Sequence, residues 1–293
     1  MNNDSIDART VRSLDLWTGP VTLEPLLGGI TNHNYLVKDG PTTYVARVCV
    51  DRAILGIDRR NEVICQKAAV ELGVAPRVVH HANGVMISDH LRARTMSADE
   101  IAQAAFLPRI AAVLRRLHDG WINLSGEMLY FSPFQTVRTY AKTARELGAR
   151  LPGELDAMVA DCNQLSRRIS PFIPVLCHID LLAANILAND DRVWLVDWEY
   201  AGIGHPLFDL AGISGNCGFS TESELMLLKA YRGSISRTDC LELTILKVVS
   251  LLREALWSAI QTVASDIAFD YEEYAAKNFV AYLAARREFQ TIA

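Results

Sequence analysis

The first ninety residues alternate apolar and polar side chains in short runs around one helical stretch. Three runs rich in β-branched and aromatic residues predict strands over residues 21–27, 34–38 and 43–50. Residues 58–72 place apolar side chains at helical spacing, and Gly73 follows where such a helix would end. The dipeptide Asn83-Gly84 predicts a hairpin turn between two further strands. The pattern therefore predicts a small β-rich lobe.

Helical periodicity dominates after residue 90. Three capping signals mark helix starts: Ser97 with Glu100, Ser132 with Pro133, and Thr221 with Glu224. Gly148 is placed to end the second of these helices, and residues 174–179 and 186–197 interrupt the helical pattern with strand-like runs. The whole pattern predicts an α+β chain of two lobes, residues 1–90 and residues 91–293.

Composition and charge narrow the class of protein. Half of the 293 residues are apolar and 22% are charged, which is typical of a soluble globular protein. Basic residues number 29 against 34 acidic ones and form no cluster, so the chain lacks the electrostatic signature of nucleic-acid binding. The six cysteines lack CxxC or CxxH spacing, which disfavours a zinc site and a disulfide framework. With a polar start and no apolar run of ~18 residues, we expect a cytoplasmic protein without membrane insertion that acts on small molecules.

One stretch in the second half carries the residue types of phosphoryl transfer. His178, Asp180 and Asn185 stand in HIDLLAAN, and Asp197 follows twelve residues after Asn185. This chemistry needs a carboxylate that orients the attacking hydroxyl, and a carboxamide and a second carboxylate that hold Mg²⁺ against nucleotide phosphates. Taken singly, each residue is explained as a turn residue or a strand-end cap. Their joint spacing predicts a phosphotransferase.

The HxDxxxxN motif followed by DWEYAG resembles the protein-kinase-like superfamily, and within it the aminoglycoside phosphotransferase and choline/ethanolamine kinase branch. DWEYAG at residues 197–202, in place of the DFG of protein kinases, selects this branch, and FDL at residues 208–210 follows as in the family. The resemblance implies a protein-kinase-like bilobal fold, with a small β-rich N-lobe and a larger, mostly α-helical C-lobe. It also implies an enzyme that uses ATP and Mg²⁺ to phosphorylate a small amino alcohol.

The resemblance further implies roles for residues of the C-lobe. Asp180 becomes the catalytic base, and Asn185 and Asp197 become magnesium ligands. His178 would brace the catalytic loop, and Glu199 would add a carboxylate behind the metal ligands. We interpret Asp209, in FDL, as structural, with its carboxylate bonded to backbone amides of the catalytic loop.

A glycine-containing turn predicts part of the nucleotide site. GGITNHNY at residues 28–35 joins two predicted strands, and glycine there allows the backbone to approach phosphate oxygens closely. Alone, this segment is better explained as an ordinary hairpin. It is, however, very similar to the corresponding segment of bacterial choline kinases, which implies nucleotide binding by Gly28, Gly29, Thr31, Asn32 and Asn34.

Arg47 and Glu62 complete the predicted nucleotide site. Arg47 lies in the third predicted strand, where protein kinases carry lysine and choline kinases carry arginine, and its guanidinium can bind a phosphate through two hydrogen bonds. Glu62, on the predicted helix, is the expected ion-pair partner. Without the resemblance, the two would be a surface arginine and a solvated glutamate. Residues 86–90, at a predicted hinge, would offer backbone groups to adenine.

The acceptor pocket is predicted from two stretches, REALWSAIQ and IAFDYEEYA, which resemble the choline kinase helices that wall the alcohol site. Trp257 and Tyr271 would present ring faces to a cationic head group, although aromatic residues at helical spacing are more often core residues. Glu254 stands where eukaryotic choline kinases have a second tryptophan. Asn216 stands where the animal enzymes have an acidic residue.

The residues at positions 254 and 216, which differ from those of eukaryotic choline kinases, affect which acceptor we expect. We expect choline first and ethanolamine second, because a carboxylate attracts either ammonium but hydrogen-bonds only one that carries N–H groups. An aminoglycoside, thiamine or a sugar as acceptor is the alternative within the same fold. A nucleotide-binding pseudokinase without turnover is the alternative from another class. The presence of Asp180, Asn185 and Asp197 disfavours the pseudokinase.

Overall fold

The structure is a computed structural model of the chain and describes residues 6–26, 32–49, 51–82 and 84–292. Its helices are α1 (Ile6–Arg12), α2 (Arg59–Glu71), α3 (Ala98–Ile101), α4 (Leu107–Gly120), α5 (Pro133–Leu147), α6 (Leu155–Ser166), α7 (Pro206–Asn216), α8 (Thr221–Arg232), α9 (Arg237–Ala264) and α10 (Tyr271–Ile292). Its strands are β1 (Thr22–Leu26), β2 (His33–Asp39), β3 (Thr42–Val48), β4 (Val78–Ala82), β5 (Val85–Asp89), β6 (Arg94–Thr95), β7 (Val175–Cys177), β8 (Ile186–Ala188), β9 (Val193–Leu195) and β10 (Gly202–Gly204). Within these ranges, no helix has both the length and the apolar character that a membrane crossing requires.

The first five strands form an antiparallel sheet in the order β1-β2-β3-β5-β4. Arg47 of β3 lies between Asn34 of β2 and Met86 of β5 in the pairing register. The sheet and α1 share a small core of their own, formed by Val11, Val37, Ala46, Val85 and Ile87. The sheet thus holds Arg47 in its central strand, supported on both sides.

Helix α2 connects the sheet to the helical lobe. Asp58 caps its start by accepting a hydrogen bond from Asn61 N at 3.0 Å, and Gly73, with a φ of +69°, follows its end as predicted. Asn61 Nδ2 donates to Ala201 O at 2.8 Å across the lobes. The buried face of α2 joins the large core of the helical lobe through Cys65, Ala68 and Ala69. Helix α2 is therefore fixed to the C-terminal part of the chain.

Helix α9 is the centre of the helical lobe. All of its residues from 242 to 261 are buried, as expected for a helix that is covered on every side. Helices α5, α7 and α10 pack against it. Lys247, Arg253 and Glu254 lie in this buried stretch, and a buried charge requires a partner. Arg253 and Glu254 find theirs at the cavity described below.

One predicted helix start needs correction. Ser97 caps α3 through a capping box with Glu100, as predicted. For α8, however, the cap is Ser220, whose hydroxyl accepts from Ser223 N at 3.1 Å. Thr221, predicted as the cap, is already the first helical residue, because the extended backbone of a cap occurs at Ser220 (φ −69°, ψ 158°).

Most other predicted boundaries agree with the structure. Strands β1, β2 and β3 occupy the three runs predicted for them, and Gly148 ends α5 with a φ of +67°. Strands β4 and β5 pair as the predicted hairpin, with Gly84 at a φ of +76°. Leu27, Val50 and Asn83, predicted at strand ends and in a turn, lie outside the described residues.

Candidate active site

The β8–β9 hairpin brings the two predicted metal ligands together. Asn185 directly precedes β8, and Asp197 follows β9 after one residue. Val196 N donates to Asn185 O at 3.0 Å, so both side chains start from the same end of the hairpin. At the other end Asn189 accepts from Asp191 N at 3.0 Å, in the turn that the sequence predicts.

Asp180 stands on a strained loop that Asp209 holds in place. Ile179 has a φ of +73°, a left-handed conformation that costs a β-branched residue about 1–3 kcal/mol. Asp209 in α7 accepts hydrogen bonds from His178 N at 2.8 Å and Ile179 N at 2.7 Å. His118 Nε2 in turn donates to Asp209 at 3.0 Å. The predicted contact of Asp209 with backbone amides of this loop is confirmed.

His178 joins the Asp180 loop to the segment before Asp197. Its Nε2 donates to Val196 O at 2.9 Å, and its Nδ1 accepts from Asp180 N at 3.4 Å. One neutral tautomer, protonated on Nε2, satisfies both hydrogen bonds. Asn185 Nδ2 donates to Asp180 O at 2.9 Å. The backbone of Asp180 is thus bonded to the elements that carry both predicted metal ligands.

Arg47 forms the predicted ion pair with Glu62 and a second ion pair with Asp197. Arg47 and Glu62 are both buried. Burial is the largest single effect and would lower the pKa of Arg47, but the charges of Asp197 and Glu199, with smaller contributions, together outweigh it, so the pKa is raised. Arg47 faces the cavity as a cation, whereas Glu62 lies behind it.

One cavity of about 660 Å³ lies between the sheet and the helical lobe. Asp180, Asn185 and Asp197 all line it, and Arg47 faces the same space from the sheet. Apolar side chains that suit a flat ring also line it: Val45, Pro76, Met86 and Leu187. The carboxylates and the amide that phosphoryl transfer requires therefore share one crevice.

The predicted N-lobe residues reach this cavity in part. Asn32 and Asn34 line it, whereas Gly28, Gly29 and Thr31 lie outside the described residues. The segment predicted to meet adenine contributes Met86, Ser88, Asp89 and His90 to the lining.

Aromatic side chains from α9 and the start of α10 line the cavity as well. Trp257 faces it as predicted, and its Nε1 donates to Tyr200 Oη at 2.7 Å. Tyr271, the second predicted ring, is not among the residues that line the cavity: it is the first residue of α10 and packs edge-on against Trp257, with 6.2 Å between ring centroids. Tyr274, nearly one turn further along α10, lines the cavity instead, together with Phe269. The position at which α10 begins decides which ring faces the cavity.

Two further predicted residues lie outside the cavity lining. Asn216, predicted near the acceptor, donates from Nδ2 to Leu181 O at 3.2 Å and supports the loop after Asp180. Glu199, predicted behind the metal ligands, is bound by Asn32 and Arg59. Burial, followed by the charge of Asp197, raises the pKa of Glu199.

Arg253 and Glu254 place a buried pair of charges beside Asp180. Arg253 Nη1 and Nη2 lie 3.3 and 3.4 Å from Asp180 Oδ1, and its guanidinium stacks 4.6 Å from the centre of the Tyr200 ring. Glu254 Oε1 accepts from Tyr274 Oη at 2.9 Å, and Glu254 Oε2 lies 3.7 Å from Arg253. Burial, followed by the charge of Asp180, raises the pKa of Glu254 to about 7.

Arg253 was not predicted as a site residue. The signal available in the sequence was an adjacent pair of opposite charges inside an apolar helical run, because such charges are buried only with specific partners. The pairing of Arg253 with Asp180 joins residues 73 positions apart.

The side-chain oxygen atoms of Asn185 and Asp197, which line the cavity, suit Mg²⁺. Asp197 offers carboxylate oxygens, and Asn185 offers Oδ1, because its Nδ2 is committed to Asp180 O. Oxygen ligands of this kind are the ones that Mg²⁺ prefers. Asp197 also has a φ of +66°, a strained backbone conformation of the sort that occurs at functional sites. The residues present therefore fit a magnesium ion held against nucleotide phosphates.

Comparison with known proteins identifies the family to which this geometry belongs. The family model of choline/ethanolamine kinases matches residues 23–215. The chain belongs to the choline/ethanolamine kinase family. Among relatives in this family, it is 27% identical to Protein LicA of Haemophilus influenzae over 263 residues, which cover 86% of this chain and 76% of LicA. It is 26% identical to ethanolamine kinase 1 of Mus musculus over 310 residues, which cover 92% and 85% of the two chains.

A solved structure of the same family confirms the fold. The choline/ethanolamine kinase family protein from Mesorhizobium loti superimposes with a TM-score of 0.78 and 28% sequence identity, covering 95% of this chain and 92% of that one. The predicted kinase-like fold, with a β-rich and a helical lobe, is therefore correct. As a member of this kinase family, the chain is a phosphotransferase that acts on an alcohol group.

Proposed function

We propose that the chain transfers the γ-phosphoryl group of ATP to the hydroxyl of a small amino alcohol, with choline as the first acceptor and ethanolamine as the second. The products are a phosphomonoester and ADP. One observation carries the proposal: a single crevice holds Asp180, Asn185 and Asp197 next to an aromatic and acidic wall. A nucleotide and a cationic alcohol that meet there find the groups that phosphoryl transfer needs.

Arg47 is the proposed phosphate clamp at the nucleotide end. Its guanidinium lines the cavity and is held from behind by Glu62. Asn185 and Asp197 would hold Mg²⁺, which when bound neutralises charge on the phosphates. Bound phosphates would compete with Asp197 for Arg47, and Asp197 would then be released from its present ion pair toward the metal.

Asp180 is the proposed base for the acceptor hydroxyl. Arg253 binds Asp180 Oδ1, which leaves Oδ2 to accept a hydrogen bond from the hydroxyl and then its proton. The carboxylate is thus oriented before the alcohol arrives, and such preorganisation is a large part of catalysis by positioning.

The size and charge of the acceptor follow from three side chains. Arg253 Nη1 lies 3.3 Å from Asp180 Oδ1 and 3.7 Å from Glu254 Oε2, so these oxygens are at most 7.0 Å apart, the sum of the two distances. A two-carbon amino alcohol can place its hydroxyl on Asp180 and its ammonium near Glu254. Two carboxylates and one guanidinium leave one negative charge, which a monocation neutralises.

Two acceptors are supported by different observations. The resemblance of GGITNHNY to bacterial choline kinases favours choline, and the rings of Trp257 and Tyr274 suit a quaternary ammonium. Glu254 favours ethanolamine, because a carboxylate hydrogen-bonds an ammonium that carries N–H groups. We place choline first and ethanolamine second.

An ADP-release assay tests the proposal. Purified protein is given ATP with choline, ethanolamine, thiamine or kanamycin, each with and without Mg²⁺. We expect Mg²⁺-dependent ADP release with choline and ethanolamine, and phosphorylated product by mass spectrometry. Turnover with thiamine or kanamycin, but with neither choline nor ethanolamine, would overturn the amino alcohol assignment. ATP binding without ADP release for any acceptor would favour the pseudokinase.

A further inference from the structure

Arg59, the first residue of α2, is a buried arginine where both lobes meet. Its Nη1 donates to Glu62 Oε2 and to Glu199 Oε2, at 2.8 Å each. Its Nη2 donates to Asn32 Oδ1 at 2.8 Å. A buried guanidinium is costly unless its donors are satisfied, and here Glu62, Glu199 and Asn32 all accept from it. One side chain therefore connects segments that are up to 140 positions apart.

Asn32 closes a triangle with Arg59 and Glu199. Its Nδ2 donates to Glu199 Oε2 at 2.9 Å, while its Oδ1 accepts from Arg59. Asn32 and Glu199 are 8% and 3% exposed, and Asn32 lines the cavity. We call Asn32, Arg59 and Glu199 the interlobe latch. The Asn32 amide therefore both donates, through Nδ2, and accepts, through Oδ1. An aspartate at position 32 would lose the donor and place a second carboxylate against Glu199, which would repel it.

The latch borders the groups proposed to hold the nucleotide. Glu199 lies two residues after Asp197, whose backbone is strained at a φ of +66°. Glu62, which accepts from Arg59, is also the ion-pair partner of Arg47. A displacement of the Arg59 guanidinium would therefore move both Glu62, which supports Arg47, and Glu199, which lies beside Asp197.

We propose that Arg59 is a positioning residue for the nucleotide. It sets the separation of Arg47 and Asp197 through Glu62 and Glu199, and it touches no reacting atom. This inference rests on the proposed function, since it takes ATP to occupy this end of the cavity. It also reassigns Glu199: with Arg59 and Asn32 on its Oε2, this carboxylate serves the latch. The acceptor wall belongs to other helices, so loss of the latch should weaken nucleotide binding selectively.

The test compares Arg59→Gln with Arg60→Gln. Arg60 is the next residue of α2, and its side chain is 79% exposed and paired with the 89% exposed Glu127, so it is a matched control. Calorimetric titration with Mg-ADP measures nucleotide affinity without turnover, and steady-state kinetics measure KM for ATP and for choline separately. We expect Arg59→Gln to raise the Kd for ADP and the KM for ATP at least tenfold, with the KM for choline within twofold. Arg59→Lys should recover part of the loss, and Arg60→Gln should leave all three values within twofold.

Other outcomes contradict the proposal. Equal increases in both KM values would indicate general loss of structure, and unchanged nucleotide affinity would exclude a positioning role.

If Arg59→Gln does not fold, because Glu62 and Glu199 lose their cation, Asn32→Ala provides the test. It removes both amide hydrogen bonds without leaving a charge unpaired. We expect Asn32→Ala to weaken ADP binding by at least threefold, and unchanged affinity would overturn the latch.

The latch and the proposed function can fail separately. If the wild-type protein binds Mg-ADP but phosphorylates no amino alcohol, the proposed acceptor is wrong, while the ADP titrations still test Arg59. If amino alcohols are phosphorylated and Arg59→Gln binds ADP like the wild type, the latch is wrong and the proposed function stands.

Discussion

At the scale of single residues, Asp180 is fixed from three sides without being blocked. The loop that carries it is strained at Ile179, and Asp209 stabilises that strained backbone by accepting a hydrogen bond from Ile179 N. Asn185 donates to the backbone oxygen of Asp180, and Arg253 binds its Oδ1. A catalytic base needs correct geometry before it needs basicity. Under the proposed function, Oδ2 of Asp180, for which the described residues provide no hydrogen-bond donor, is the atom at which a hydroxyl would be activated.

Replacing Asp180 tests this role. Asp180→Ala should lower kcat by about 10²–10⁴, the usual contribution of a general base, while ADP still binds. Asp180→Asn keeps the shape of the side chain and should lose turnover to a similar degree, because an amide does not accept the proton. Asp191→Ala, an exposed carboxylate in the β8–β9 turn, is the control. Turnover retained by both Asp180 variants would remove this residue from the chemistry.

The ionisation of Glu254 should make acceptor binding depend on pH. Burial and the charge of Asp180 raise its pKa to about 7. Arg253 and Tyr274 also face the carboxylate and act in the opposite direction. Above pH 7 the carboxylate is charged and attracts the ammonium; below pH 7 it is protonated and neutral. With choline, whose charge does not titrate, we expect KM to rise about tenfold from pH 8 to pH 6.

Glu254→Gln supplies the comparison for the pH profile. Its KM for choline at pH 8 should already be raised and should change little down to pH 6. Ethanolamine should lose more affinity than choline, because its N–H groups lose a charged acceptor. A wild-type KM that is flat across this range would show that Glu254 does not bind the acceptor.

At the scale of elements, the catalytic stretch could be predicted because its parts are close in sequence. His178, Asp180 and Asn185 lie on one loop, and a short hairpin brings Asp197 back beside Asn185. The wall of the acceptor pocket could not be predicted to the same level. Whether Tyr271 or Tyr274 faces the cavity depends on where α10 begins, and helix boundaries are the least reliable part of a sequence pattern.

The support of the Asp180 loop by α7 makes a prediction for Asp209. Its two oxygens each accept from a backbone N–H, so Asp209→Asn would direct an NH₂ group at one of these donors. We expect a loss of about 1–3 kcal/mol in the free energy of unfolding, measured by urea denaturation, since one buried donor becomes unsatisfied. We also expect kcat to fall at least tenfold while the Kd for ADP changes little. An unchanged kcat would mean that the loop keeps its shape without Asp209.

At the scale of the whole molecule, the division between the two hydrophobic cores does not coincide with the division between the two lobes. The sheet has its own small core with α1, but the buried face of α2 belongs to the large core of the helical lobe. Cross-lobe contacts such as Asn61 with Ala201, and the interlobe latch, join residues 140 to 167 positions apart. Sequence patterns report local structure, so neither these contacts nor the pairing of Arg253 with Asp180 could be predicted from them.

The packing of α2 into the core of the helical lobe predicts that the chain unfolds as one unit. We propose residue 90 as the boundary between lobes, but not as the end of a domain that folds alone. Differential scanning calorimetry should show one transition with equal calorimetric and van't Hoff enthalpies. A fragment of residues 1–90 should lack a cooperative transition, because Cys65, Ala68 and Ala69 would lose their partners. Two separate transitions, or a folded fragment, would show that the sheet core is sufficient without the packing of α2 against the helical lobe.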